Sequence, residues 1–392
     1  MATQVSKTPL YDEHIALGAQ MTEFAGYLMP MQYMGIRQEH SAVREGCGIF
    51  DLCHMAQLRV CGASAFDFLQ YLMTNDLSRL SVPGIAQYTL ICDHDAGIID
   101  DVIVYRTGDN EYLLVANAVN RYIVFDWANT IRDRWSLNES AGEGARKHGI
   151  DLDIIDETDR TGLIALQGPL AMRLLEHMTP KDTTFPARFS IAPSTVGNMP
   201  VLLSRTGYTG EDGVEIFTHE SNTVAIWRYL LSFSEITPCG LGSRDTLRLE
   251  MGYHLYGSDM DRGVDPISAR LGWVCPDKKH DFVGSEAIRR IREQGIERVL
   301  AFFTSTEGIP RQGMSISVKG IEIGRVASGT FSPSLSIGIA SGYIPIEYAV
   351  AEQKLDLQVR RKHAPLIVVD PPFVHDTSLR QNNCRKENDE SG

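Results

Sequence analysis

The stretch Gly97-Ile98-Ile99-Asp100-Asp101-Val102-Ile103-Val104-Tyr105 constrains the fold of this chain more than any other. Its β-branched aliphatics, Ile98, Ile99, Val102, Ile103 and Val104, predict a strand. Alternation puts Ile99, Asp101, Ile103 and Tyr105 on one side, and Ile98, Asp100, Val102 and Val104 on the other. Apart from the aspartates both faces are apolar, so both should be covered. Two adjacent carboxylates then sit in a buried strand, where an ionised carboxylate is costly unless hydrogen-bonded or used for chemistry. The pair reads either as a polar strand end bonded to a neighbouring turn or as part of a functional site, and the stretch alone leaves both open.

The flanking sequence extends a sheet. Residues 88–92 predict a strand that turns through 93–97 into the aspartate strand, forming a hairpin. Residues 111–117 predict a third strand ending near Asn117 and Asn120, whose amides can both donate and accept. A helix over 121–135 follows, with Ile123, Trp127, Ile131 and Trp135 as its expected core stripe.

A second unit begins with a strand over 162–167 and a helix opened by Gly168-Pro169. A strand over 199–205 then leads to the turn Thr206-Gly207-Tyr208-Thr209-Gly210-Glu211-Asp212-Gly213 and a return strand over 214–217. The turn's glycines permit positive φ and close backbone approach to a ligand, though an ordinary hairpin loop has the same composition. Glu215 stands out between Val214 and Ile216. A helix over 241–256 carries Arg244 and Arg248, which repel unless an acid or anion lies between them, and Asp245, which can pair with Arg248. These strand–helix–strand passes predict an α+β class. From 281 a charged helix leads into short strands over 299–303, 314–318, 321–326, 336–343 and 355–359, the pattern of a small barrel or sandwich. The expected division is 1–280, a barrel domain over 281–376, and a disordered polar tail over 377–392.

Composition excludes several functions. A net charge of −13 disfavours a general nucleic-acid binder, and no apolar run approaches the length of a membrane span. The polar N-terminus has no leader pattern, and the 7 cysteines are odd in number without metal-type spacing. Reduced thiols, a cytoplasmic, bacterial setting and no metal are expected. No G-x-G-x-x-G, P-loop or G-x-S-x-G is present. A lone carboxylate such as Glu215 suits the adjacent amino and ring N–H groups of a pterin, and Arg or Tyr suits a terminal carboxylate.

Seven motifs stand in order: Thr8-Pro9-Leu10-Tyr11, Phe50-Asp51 through His54-Met55, Gly97-Ile98-Ile99-Asp100-Asp101, Leu166-Gln167-Gly168-Pro169, Ser204-Arg205 through Gly213, Gly242-Ser243-Arg244-Asp245-Thr246-Leu247-Arg248-Leu249-Glu250, and Ser328-Gly329-Thr330-Phe331-Ser332-Pro333. The series resembles the aminomethyltransferase (T-protein) family of the glycine cleavage system from Thr8 to Val374. The resemblance implies three domains in a cloverleaf around a folate channel, with ferredoxin-like α/β subdomains and a C-terminal β-barrel. It implies transfer of a one-carbon unit from the aminomethyl-lipoyl arm of H-protein to tetrahydrofolate, giving 5,10-methylenetetrahydrofolate and ammonia. By position it makes Asp101 the catalytic aspartate and Glu215 the pterin-binding glutamate, with Arg244, Tyr253, Tyr88 and Asn117 as further folate contacts and Asp100 structural. Sibling tetrahydrofolate-dependent demethylases use the same fold for other methylated sulfur or nitrogen donors, and the sulfur-donor sibling differs in the glycine-rich turn that this chain keeps as Tyr208-Thr209-Gly210-Glu211-Asp212-Gly213. Relative to the family, Tyr27 stands for a usual Trp, Cys53 for Ser and Ala56 for Gly.

Overall fold

The computed structural model describes residues 5–135, 151–279, 281–360 and 362–380. The aspartate strand lies inside a five-stranded sheet ordered Ala86–Cys92, Ile98–Gly108, Glu111–Ala116, Ala56–Cys61, Asp153–Asp156. The expected hairpin forms, with Leu90 opposite Asp101. Its alternation breaks at one point. Ile91 pairs with Asp100 but Cys92 pairs with Ile98, so Ile99 is an extra residue on its strand, a β-bulge. Ile99 therefore packs with Val102 and Val104 beneath the helices Ala65–Leu72 and Arg121–Trp135, away from the face of Asp101.

The Arg121–Trp135 helix buries Val124, Ala128, Ile131 and Trp135, while Ile123 of the expected stripe is exposed. A strict four-residue step drifts about 40° per step around a helix of 3.6 residues per turn, so a stripe that is buried at Ile131 and Trp135 lies off the buried face at Ile123.

A six-stranded sheet follows the order Ile191–Val196, Met199–Ser204, Gly213–His219, Thr161–Gln167, Cys47–Asp51, Ile236–Pro238. Helices Ala171–Met178 and Glu220–Leu231 cover one face and bury Trp227. The other face meets the first sheet, where Phe50, Ala165 and Phe217 pack with Tyr105 and Val115. A small sheet of Ser6–Lys7, Tyr27–Gln32 and Gln20–Phe24 closes one side.

The C-terminal strands Arg298–Ser305, Ile337–Pro345, Ile321–Ser332, Ser315–Val318, Lys354–Val359 and Lys362–Val369 form a closed barrel in that order. The last strand has no counterpart in the sequence reading: Lys362, His363 and Pro365 break up its first half, although Leu366, Ile367, Val368 and Val369 follow, and Ala364, Leu366 and Val368 are its buried positions. The helix Ser285–Gln294, grouped above with the barrel, instead packs Ala287 and Ile288 against Leu90, Cys92 and Ile98 of the first sheet. Its charged face obscured those two inward positions. The tail also begins later than expected. Thr377 is buried, and the Ser378 hydroxyl donates to Glu211 at 2.6 Å, while residues 381–392 of the expected disordered tail lie outside the described residues.

One helix, Leu241–Glu250, packs against the barrel, the helix Ile36–Glu45 and the small-sheet strand Tyr27–Gln32, and its Leu247 reaches the core shared by the two large sheets. It is shorter than the 241–256 expected, so Tyr253 lies beyond it. Gly252 at φ 70° ends the helix and lets the Tyr253 N–H return to the Arg248 carbonyl at 3.0 Å. Arg248 is buried and donates to Asp259 at 2.6 Å, Ser328 at 2.8 Å and Asp245 at 2.8 Å. The Glu250 carboxylate, also buried, accepts from Ser332 at 2.6 Å and Ser334 at 2.8 Å on the barrel side and from Arg44 at 2.9 Å on the helix Ile36–Glu45. His40 and Arg44 help hold Glu250 down at about 2 against the upward push of burial.

Arg248→Met should lower unfolding stability by about 3–5 kcal/mol, because it strands the Asp259 carboxylate without its cation. Denaturant unfolding checks this, and Arg248→Met combined with Asp259→Leu should recover part of the loss.

Candidate functional site

The two sheets and the barrel enclose a cavity of about 1190 Å³ lined by residues of all three. All six residues singled out by the resemblance line it: Tyr88, Asp101, Asn117, Glu215, Arg244 and Tyr253.

Asp101 reaches the cavity on the same face of the strand as Ile103, which also lines it. Its carboxylate accepts from the Tyr88 hydroxyl at 3.0 Å and from Asn117 Nδ2 at 2.7 Å. Asp100 points the other way and is fully buried, accepting from the Asn117 N–H at 2.9 Å, Asn117 Nδ2 at 2.9 Å and Asn120 Nδ2 at 2.6 Å. Asn117 thus pins both carboxylates from the end of the neighbouring strand, while Asp100 is satisfied by protein alone. Burial raises both carboxyls, and for Asp100 the neighbouring Asp101 charge raises it further; the amide and hydroxyl donors oppose the rise. Burial and the Asp101 charge push the Tyr88 hydroxyl up, so it remains a donor.

Glu215 comes from the second sheet. Thr206 donates to it at 2.5 Å, and the Thr206 oxygen is in turn within 3.1 Å of the Tyr105 hydroxyl and 2.7 Å of Ser204. Burial raises the Glu215 carboxyl, against the Thr206 hydrogen bond and the Arg244 charge. Arg244 stands over the Tyr208 ring at 4.7 Å. Its expected repulsion with Arg248 is relieved because Arg248 turns to Asp245 and Asp259.

Two aromatic pairs frame the cavity. Tyr208 stacks on Tyr253 at 5.7 Å and 26°, and Tyr88 stacks on Trp273 at 5.7 Å and 19°. Tyr208 is held by a hydrogen bond to the His254 carbonyl. Gly210, at φ 81°, turns the loop so closely against the Met251 thioether that a Cβ would collide. Sequence reasoning missed Tyr208 and Trp273 as site residues. Tyr208 sat inside the glycine-rich turn already noted, whereas Trp273 gave no local signal. The arrangement can hold a flat, nitrogen-rich ring against aromatic faces, with a carboxylate at two separate points.

Comparison with known proteins agrees with this geometry. Residues 10–279 match the family described as the GCVT N-terminal domain, and residues 298–375 match the glycine cleavage T-protein C-terminal barrel domain. An aminomethyltransferase of Symbiobacterium thermophilum is 39% identical over 388 residues, covering 97% of this chain and 100% of that protein. Another from Halothermothrix orenii is 39% identical, covering 94% and 100%. The chain belongs to the glycine cleavage T-protein family. The crystal structure of glycine cleavage system aminomethyltransferase T from Bartonella henselae superposes with a TM-score of 0.84 at 31% identity, over 94% of this chain and 98% of that one. The family's barrel domain corresponds to the closed C-terminal barrel described above. Among the described residues, no helix is long and apolar enough to cross a membrane, and no cluster of three or more His, Cys, Asp or Glu could hold a metal ion.

The buried acid pair carries a stability cost. Both carboxyls lie above their unfolded values near 4, so ionising them opposes folding as pH rises through the raised values. Asp101→Asn removes one charge of the pair and keeps partners for both Tyr88 and Asn117. It should raise the melting temperature by about 2–4 °C at pH 7.5, with the gain shrinking toward pH 5. Paired thermal melts check this, and a lower melting temperature at both pH values would contradict it.

Proposed function

We propose that this chain transfers the one-carbon unit of an aminomethyl group, carried on the lipoyl arm of H-protein, to tetrahydrofolate, yielding 5,10-methylenetetrahydrofolate and ammonia. The observation that carries this reading is the pairing of two cavity carboxylates with different tasks. Glu215 is a buried acceptor beside Arg244, and Asp101 is a second acceptor held by Tyr88 and Asn117 on the opposing sheet.

In this reading Glu215 accepts the amino and ring N–H groups of the pterin in a two-point contact. Tyr208 and Tyr253 offer aromatic faces, and Arg244 supplies the cation for a folate carboxylate or carbonyl. Asp101 faces the reacting nitrogens. Two carbon–nitrogen bonds form to tetrahydrofolate while the carbon–sulfur bond and the carbon–amine bond break. The two protons released from folate nitrogen leave with ammonia and the lipoyl thiol, so the step balances without an oxidant. A carboxylate at Asp101 stabilises the iminium-like charge that develops as ammonia departs and accepts or relays those protons. No nucleophile from the protein is required. Asp100, satisfied by Asn117 and Asn120, acts as a brace. The domain division follows the same logic: residues up to the first two sheets supply the carboxylates, and the barrel supplies one wall. The bacterial relatives suit a cytoplasmic reaction.

The direct test supplies purified protein with tetrahydrofolate and aminomethylated H-protein. Methylenetetrahydrofolate and ammonia should appear together and require H-protein. Tetrahydrofolate binding without this turnover, but with turnover of a methylated sulfur or nitrogen compound, would place the chain with the demethylating siblings. Within the main assay, Asp101→Asn should cut kcat by about 10³-fold or more, the scale of a lost electrostatic and proton-handling group, with folate affinity changed by less than about threefold. Equal losses in binding and turnover would argue against a chemical role for Asp101. Glu215→Gln should do the reverse, weakening folate binding by about tenfold or more with a smaller effect on kcat. Steady-state kinetics and calorimetric titration separate the two.

A further inference from the structure

His254 lines the same cavity as Asp101 and Glu215, and the reading above gives its side chain no task. It belongs to the segment that follows the helix Leu241–Glu250. Contacts fix that segment where the parts of the site meet. The His254 carbonyl accepts from the Tyr208 hydroxyl, and the Tyr208 ring stacks on Tyr253. Two residues further on, Tyr256 donates to the Ile98 carbonyl at 3.2 Å, on the strand that carries Asp101. The imidazole is anchored separately. Its Nε2 lies 2.7 Å from the Ala269 carbonyl, and its ring meets Phe302 edge-to-face at 6.5 Å and 87°. Trp273, four residues beyond Ala269, stacks on Tyr88, whose hydroxyl donates to Asp101.

These contacts decide the state of the ring. A carbonyl oxygen only accepts, so Nε2 carries a hydrogen, and in the neutral imidazole the lone pair is then on Nδ1. Nδ1 has no hydrogen-bond partner among the described residues. Nor is it sealed. The Nδ1 of His54, also in the cavity wall, is a buried atom without a partner, whereas His254 Nδ1 retains surface open to a ligand. Ala269 and Phe302 are buried, so the surface that this half-buried ring keeps opens on the cavity it lines.

The proposed transfer moves two protons, from two folate nitrogens to two leaving groups, ammonia and the lipoyl thiol. One carboxylate holds one proton at a time. The cavity's other acids are committed elsewhere: Asp212 to Arg205 at 2.6 Å, Asp245 to Arg248 at 2.8 Å, Glu211 to Arg44 at 2.8 Å, and Glu215 to Thr206 at 2.5 Å. Burial pushes the Tyr88 and Tyr208 hydroxyls up, so both remain donors. An imidazole with one nitrogen tied to a carbonyl and the other open to a ligand is the form that general acid–base histidines take.

We propose that His254 is the second proton-transfer group of the site: Nδ1 takes the proton of a folate nitrogen as its carbon–nitrogen bond forms, and delivers it to the lipoyl sulfur as the carbon–sulfur bond breaks. The inference rests on the function proposed above and adds a group to it. The ring ends neutral, as it began, so nothing further is consumed, and Asp101 handles the proton that leaves with ammonia. The Ala269 carbonyl keeps Nδ1 turned to the cavity throughout, and its hydrogen bond strengthens while the ring is an imidazolium. A histidine that only braced Ala269 would need its Nε2–H and nothing at Nδ1.

The test follows turnover of aminomethylated H-protein with tetrahydrofolate by wild type, His254→Gln and His254→Ala, with calorimetric titration of tetrahydrofolate on each. Glutamine keeps an N–H for the Ala269 carbonyl but has no basic nitrogen. His254→Gln should lower kcat about 100-fold, the scale of a lost general acid–base, while its dissociation constant for tetrahydrofolate stays within about threefold of wild type. Imidazole added to the buffer should raise the rate of His254→Ala about tenfold and leave that of His254→Gln unchanged. A His254→Gln protein with wild-type kcat overturns the inference and leaves the proposed function standing. Loss of turnover matched by an equal loss of folate affinity does the same, since that is the mark of a brace, and so does a His254→Ala protein that imidazole fails to rescue. Absence of turnover by wild type overturns the proposed function, and this inference with it. Should His254→Ala not fold, His254→Ser takes its place in the rescue.

Discussion

The Glu250 carboxylate is the constraint on which the rest of the molecule depends. It is fully buried, and three parts of the chain converge on it: Arg44 and His40 from one helix, Ser332 and Ser334 from the barrel, and its own helix Leu241–Glu250. Two residues earlier, Arg248 makes the complementary connection through Asp259 and Ser328. A buried ion network of this kind adds little stability relative to well-packed apolar residues, but breaking one partner is costly and alternative packings cannot satisfy it. The network therefore sets where the barrel stands relative to the two sheets. That placement creates the central cavity, and the same helix projects Arg244 into it.

The cavity is polar where chemistry is needed and apolar or aromatic elsewhere. Asp100 and Asp101 differ by one position and by function. Asp100 faces the covered side of the sheet, where three N–H donors satisfy it, and Asp101 faces the cavity with two donors and room for a ligand. The bulge just before the pair turns Ile99 into the core, while the pair itself follows the ordinary alternation of the strand. Glu215 repeats the pattern on the opposite sheet. Carboxylates raised by burial are costly to keep ionised, and both occur on the surface where a ligand can repay that cost.

Much of this was legible in the sequence, for reasons that can be stated. The hairpin 88–105 could be read because β-branched residues and a turn are local signals. The barrel could be read from short strands separated by turns. Local signals do not report pairing register, so the bulge at Ile99 was invisible and Ile99 was assigned to the wrong face. The helix after Leu241 was read too long because Gly252 ends it through a left-handed conformation that composition does not announce. Within the cavity, Asp101 and Glu215 stood out as charges among apolar neighbours; Asn117 and Arg244 were visible as polar groups at a strand end and on a helix but took a folate role only from family resemblance, as Tyr88 and Tyr253 did. Trp273 and the anchoring of His254 on Ala269 depend on contacts between distant parts of the chain, which no single stretch contains.

The most direct test of the account is a structure of the protein with bound 5-methyltetrahydrofolate. The account predicts the pterin between Glu215 and the Tyr208–Tyr253 pair, with the N5–N10 edge turned toward Asp101. A ligand bound with that edge away from Asp101, or with Glu215 left out of contact with the pterin, would contradict the division of labour between the two carboxylates.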